Sequence, residues 1–80
     1  MTQLDKLISR VRARPAEANY TDVHRLLDGF GWTLANERGS HLTYRKQGER
    51  PLVVIKSGGR KVKRIYLDRI CDRLGLDELP

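Results

Sequence analysis

Eighty residues leave room for one small domain with one hydrophobic core, which excludes a multidomain enzyme. A chain of this length buries only about 60% of its unfolded surface, so any chemistry belongs on an open face and not in an enclosed cavity. Sixteen basic residues stand against ten acidic ones, a formal charge of +6 that points to a polyanionic partner.

The elements follow from hydrophobic spacing. Leu4, Leu7, Ile8 and Val11 lie at i, i+3, i+4 and i+7, which predicts a helix over residues 3–13. Pro15 and the Ala16-Glu17-Ala18-Asn19 stretch break that pattern. Thr21 is the expected N-cap of a second helix, whose apolar face is Val23, Leu26, Leu27 and Phe30 and whose stop is Gly31. The period then changes to two. Trp32 to Asn36 and His41 to Arg45 alternate, and Leu52 to Ile55 is a β-branched run, so three strands are predicted. Arg38-Gly39-Ser40 and Gln47-Gly48 are the turns between them, Pro51 falls at the start of the third strand, and Ser57-Gly58-Gly59 is expected to end the sheet. A last helix carries Leu67, Ile70, Cys71 and Leu74 on one face, with Gly75 as its stop and Leu76 folded back over it. These elements predict an α+β fold, a three-stranded antiparallel sheet with the second and last helices on one face (αβββα), plus an extra N-terminal helix.

The charge is concentrated. Residues 38–64 hold nine basic side chains and one acidic, or +8, while the remaining positions sum to −2. That distribution describes a binding face for nucleic acid and not a uniformly solubilised surface. The longest apolar run, Leu52 to Ile55, is too short to span a membrane and no apolar segment follows Met1, so a cytoplasmic protein is expected. The lone Cys71 sits on an apolar helix face as buried filler. Carboxylates are nearly absent from the basic third, so neither a metal nor any other cofactor is expected.

Alternation assigns the faces. Leu42 and Tyr44 should point at the helices, which sends His41, Thr43 and Arg45 to the bare side. His41, whose side chain ordinarily titrates near neutrality, is the candidate general base. Arg45 is the candidate clamp on a phosphate held there, on the expectation that it lies about 6–7 Å along the strand. Arg60, Lys61, Lys63 and Arg64 crowd the expected start of the last helix against its dipole, which suggests an anion seated with Gly58 and Gly59, and Lys56 is a further phosphate contact. His24, beside Val23, reads as an ordinary helix residue, and Trp32 and Tyr44 as packing.

Gly31-Trp32, then Gly39-Ser40-His41 followed at a three-residue spacing by Tyr44, then Val53-Val54-Ile55, the Gly58-Gly59-Arg60-Lys61 loop and the closing amphipathic helix resemble the HicA-like toxins over Thr21 to Leu76. The resemblance implies a double-stranded-RNA-binding-domain-like fold and an mRNA interferase, an endoribonuclease acting on single-stranded message and neutralised by a HicB-like antitoxin. It adds Gly39 and Ser40 to the expected RNA contacts. It also divides the single domain, 1–80, into a core over 21–76 and an N-terminal helical extension over 1–19. Two departures stand out: Leu42 and Lys56 occupy positions where many such toxins carry further histidines, and Ile65-Tyr66-Leu67 replaces the usual Gly-Thr-Leu. A noncatalytic RNA-binding module and a degenerate toxin fold that binds only a protein partner are the alternative readings.

Overall fold

A computed structural model describes residues 2–79. Helix α1 spans Gln3–Arg12 and is opened by a capping box: the Thr2 hydroxyl accepts from the Asp5 N–H, and the Asp5 carboxylate accepts from the Thr2 N–H, each at 3.1 Å. Strand β1 follows over Glu17–Asn19, then α2 over Tyr20–Gly29, β2 over Thr33–Arg38, β3 over His41–Arg45, β4 over Leu52–Ser57, β5 over Lys61–Lys63 and α3 over Arg64–Leu74. A 3-10 turn, Leu76–Glu78, comes after Gly75, whose φ of 67° gives α3 a left-handed C-cap.

The sheet is antiparallel throughout, in the order β1-β5-β4-β3-β2. Its centre, β2-β3-β4, is the expected meander, but the sheet has five strands and not three. Ser57-Gly58-Gly59 does not end it. Gly58 and Gly59 both hold positive φ and the Arg60 N–H donates to the Ser57 carbonyl, so the chain turns back and β5 pairs with β4. The other edge of β5 takes up β1, in the stretch expected to be irregular. This pairing also moves the start of α2. The Tyr20 N–H donates to the Arg60 carbonyl at 2.7 Å and Asn19, not Thr21, is the N-cap. Asn19 makes no side-chain cap because its Oδ1 accepts from Lys61 Nζ at 2.8 Å.

One face of the sheet is covered and the other is bare. Leu42 and Tyr44 of β3, Leu52 and Val54 of β4 and Val62 of β5 point at Val23, Leu26 and Leu27 of α2 and at Leu67, Ile70 and Cys71 of α3, all buried in one core with Trp32 and Leu76. Leu7 and Val11 belong to the same core, so α1 packs on the rest of the fold. Gly29 lets the two helices approach: a Cβ there would stand 2.7 Å from the Leu4 side chain. At the far end of α1, Arg14 pairs with Asp68 at 2.6 Å and with Asp77, its carbonyl accepts from Arg64 Nε, and the Cys71 thiol donates to the Val11 carbonyl. Burial pushes the Cys71 thiol above its usual value, which keeps it protonated and unreactive. Among the described residues no helix is long and apolar enough to cross a membrane.

Candidate nucleic-acid interface

The bare face takes its geometry from one turn. Gly39 has φ +58° and Ser40 does not have positive φ, the pattern of a two-residue type II′ hairpin in which glycine occupies the first central position. A two-residue loop fixes the register on both sides, so Arg38 and His41 are direct cross-strand partners, followed by Glu37 with Leu42 and Asn36 with Thr43. Opposed residues share a face. Since Leu42 is fully buried, Glu37 turns toward the helices, while Arg38 and His41 turn outward and are both exposed. On the other side His41 faces Ile55 and Thr43 faces Val53, itself 41% exposed. His41 therefore sits in a row of three strands, between a cation and an aliphatic side chain.

Arg45 shares this face but not this position. It pairs with Thr33 at the opposite end of the hairpin. Four residues along a strand amount to about 13 Å, not 6–7 Å, because only every second residue returns to the same face and Thr43 stands between the two. The cation next to His41 is Arg38, which is the last residue of β2 and not, as expected, part of the turn. The signal for it was the Gly39-Ser40 pair, since a two-residue hairpin makes the flanking residues partners.

Lys56 lies on the covered side. It follows Leu52 and Val54 at the inward parity of β4, and its ammonium stands 3.6 Å from the Glu37 carboxylate and 4.7 Å from the centre of the Tyr20 ring, with only 16% of the side chain exposed. Next to it is a polar cluster that the sequence did not reveal. The Tyr44 hydroxyl meets Tyr20 Oη at 2.7 Å and His24 Nδ1 at 2.8 Å. Burial, then the bond to Tyr20, raises the Tyr44 phenol far above its ordinary value, so it serves as a neutral hydrogen-bonding group. His24 is thus more than an ordinary helix residue, yet it is separated from His41 by the thickness of the sheet.

Gly58 and Gly59 form the β4–β5 turn, with Arg60 closing it, and β5 intervenes before α3 begins at Arg64. The glycine pair and the helix N-terminus are therefore not one cradle. Lys61 and Lys63 flank the buried Val62 and so lie on the bare side, Lys61 opposite Ser57 and Lys63 opposite Glu17. Arg38, Arg45, Lys61 and Lys63 accordingly share the bare face with His41. Among the described residues neither Arg38 nor Arg45 has an ion-pair partner. Concavities of 250 to 480 Å³ beside α1, at the start of α2 and between β4 and α3 are lined by neither Arg38 nor His41, though Lys61 borders one and Val53 another, and both Arg38 and His41 are exposed. No group of three or more His, Cys, Asp or Glu side chains comes together among the described residues as a metal ion would require.

Comparison with known proteins adds one finding. Residues 20–76 match the family model described as HicA toxin of bacterial toxin-antitoxin, which covers Gly39-Ser40-His41, the whole bare face except β1, and both helices behind it. No curated protein and no solved structure matches the chain.

Proposed function

Because this chain belongs to the HicA toxins of bacterial toxin–antitoxin systems, we propose that it is a metal-independent endoribonuclease that cleaves messenger RNA with His41 as the general base. The family implies an antitoxin partner, and we read that partner as a HicB-like protein. The observation that carries the proposal is the placement of His41: an exposed imidazole on an outward strand position, directly across from Arg38, on a face that also holds Arg45, Lys61 and Lys63.

RNA supplies its own nucleophile, so this face has little to build. His41 accepts the proton of the ribose 2′-hydroxyl, the 2′-oxygen forms a bond to phosphorus, and the bond from phosphorus to the 5′-oxygen breaks. The departing oxygen takes a proton from water. The products are a 2′,3′-cyclic phosphate and a 5′-hydroxyl. No step draws on a carboxylate cluster, and DNA, lacking the 2′-hydroxyl, is bound but not cut. The openness of the site favours a second reading, an RNA-binding module that performs no chemistry. Purified wild type and His41→Ala, incubated with RNA in excess EDTA, separate the two. The expected result is cleavage with cyclic phosphate ends by the wild type only, and equal behaviour of both proteins would refute the catalytic role.

A further inference from the structure

The bare face holds a second group positioned for the reaction. Arg38 and His41 are Cα partners across a two-residue turn, which brings their Cβ atoms to within about 4.5–5.5 Å on the same side of the sheet. A phosphate lying across β2 and β3 can touch both. Four arginines of this chain have structural work: Arg10 pairs with Asp22, Arg14 with Asp68 and Asp77, Arg64 donates to the Arg14 carbonyl, and Arg73 to the Arg50 and Pro51 carbonyls. Among the described residues Arg38, like Arg45, has no such contact, and of the two only Arg38 stands beside His41. The neighbouring acid that could neutralise it, Glu37, is turned to the other side of the sheet and held there by Lys56.

The chemistry has a place for that cation. In-line displacement puts the attacking 2′-oxygen and the departing 5′-oxygen on opposite sides of phosphorus, so one imidazole cannot stand at both. Negative charge grows on the non-bridging oxygens and on the leaving oxygen while His41 is occupied with the 2′-proton. A guanidinium is planar, permanently charged and able to hold two phosphate oxygens at once. We infer that Arg38 is the phosphate-clamping catalytic residue, placed by the Gly39-Ser40 turn across from His41 and stabilising the charge that develops as the phosphorus–oxygen bond breaks. Arg45, about 13 Å along β3, holds a neighbouring stretch of the backbone instead.

This inference rests on the ribonuclease reading, and two measurements keep them apart. The first is single-turnover cleavage of an RNA oligonucleotide. Arg38→Ala should lower kcat by about 10²–10³-fold, as removal of one oxyanion donor does, with Arg38→Lys recovering part of it. Arg45→Ala should act mainly on KM. A kcat for Arg38→Ala within twofold of wild type would overturn the clamp while leaving the role of His41 in place. The second measurement needs no cleavage: a 2′-deoxy dinucleotide is titrated while the His41 ring resonances are followed by NMR. Arg38→Ala should weaken that binding at least tenfold, and unchanged binding refutes the clamp. If the wild type cuts no RNA and the Arg38-dependent binding is present, the ribonuclease reading fails and Arg38 stands as a phosphate-binding residue.

Discussion

Arg14 is the one non-glycine among the described residues with positive φ, at 49°. A left-handed arginine costs on the order of 1 kcal/mol unless its surroundings hold it there. Here three groups do, since Asp68 and Asp77 take the guanidinium and Arg64 takes the carbonyl. The hydrogen bond from Arg14 holds the Asp77 carboxyl below its ordinary value, and the Thr2 N–H and hydroxyl do the same for Asp5. A carboxyl lowered in the folded state contributes stability that is complete above its unfolded value and is lost as pH falls through the folded one. Urea midpoints should therefore drop as pH is taken below about 4, and Asp77→Asn should make that drop shallower. An identical pH profile for the variant would show that the Arg14–Asp77 contact does not contribute. Residue-scale features of this kind were not legible beforehand, because Arg14 and Asp77 are joined only by the packing of α1 on α3.

The elements differ in how far the sequence announced them. Leu4, Leu7, Ile8 and Val11 mark a helix with four coincident positions, and β3 is marked by alternation over five residues. Strands β1 and β5 have three residues each, too few to show a period, and β1 contains glutamate, alanine and asparagine, which disfavour strands. Their pairing is made by the Gly58-Gly59 turn and by each other. The candidate site was half legible for the same reason: inward and outward parity could be read for β3, but which residue of β2 stands beside His41 depends on the turn. That dependence is testable. A Cβ at Gly39 would meet nothing within 4 Å, so Gly39→Ala costs only conformational energy. It should destabilise the fold by about 1 kcal/mol by urea denaturation and depress RNA cleavage more than that loss explains. Wild-type stability together with wild-type cleavage would show that the hairpin does not rely on its left-handed residue.

At the scale of the whole molecule, charge is sorted by the two faces of the sheet. Lys56, although it lies in the basic third of the chain, is spent on Glu37 and Tyr20 behind the sheet. Four cations remain in front, and four phosphate contacts on a single strand give a slope of about −3 for log affinity against log salt. Fluorescence-polarisation titrations with a His41→Ala background should show that slope flattening by about one unit when Lys61 and Lys63 are both replaced by alanine. Lys56→Ala should leave the slope where it was. A slope that responds to Lys56 and ignores the Lys61–Lys63 pair would reverse this assignment of the faces.

The closure of α1 onto α3 has a consequence for how the chain comes into being. Val11 meets Cys71 across 60 residues, Arg14 meets Asp77 across 63, and β1 waits for β5. The β2–β3 hairpin that carries Arg38 and His41 needs only its own turn. During synthesis the turn that sets Arg38 beside His41 is local, while Lys61 and Lys63 join the same face only when β5 pairs with β4, and the supporting layer waits for α3. Until α3 packs, Leu7 and Val11 lack part of their cover and the hairpin lacks the layer that holds it, so proteases and chaperones compete for an incomplete molecule.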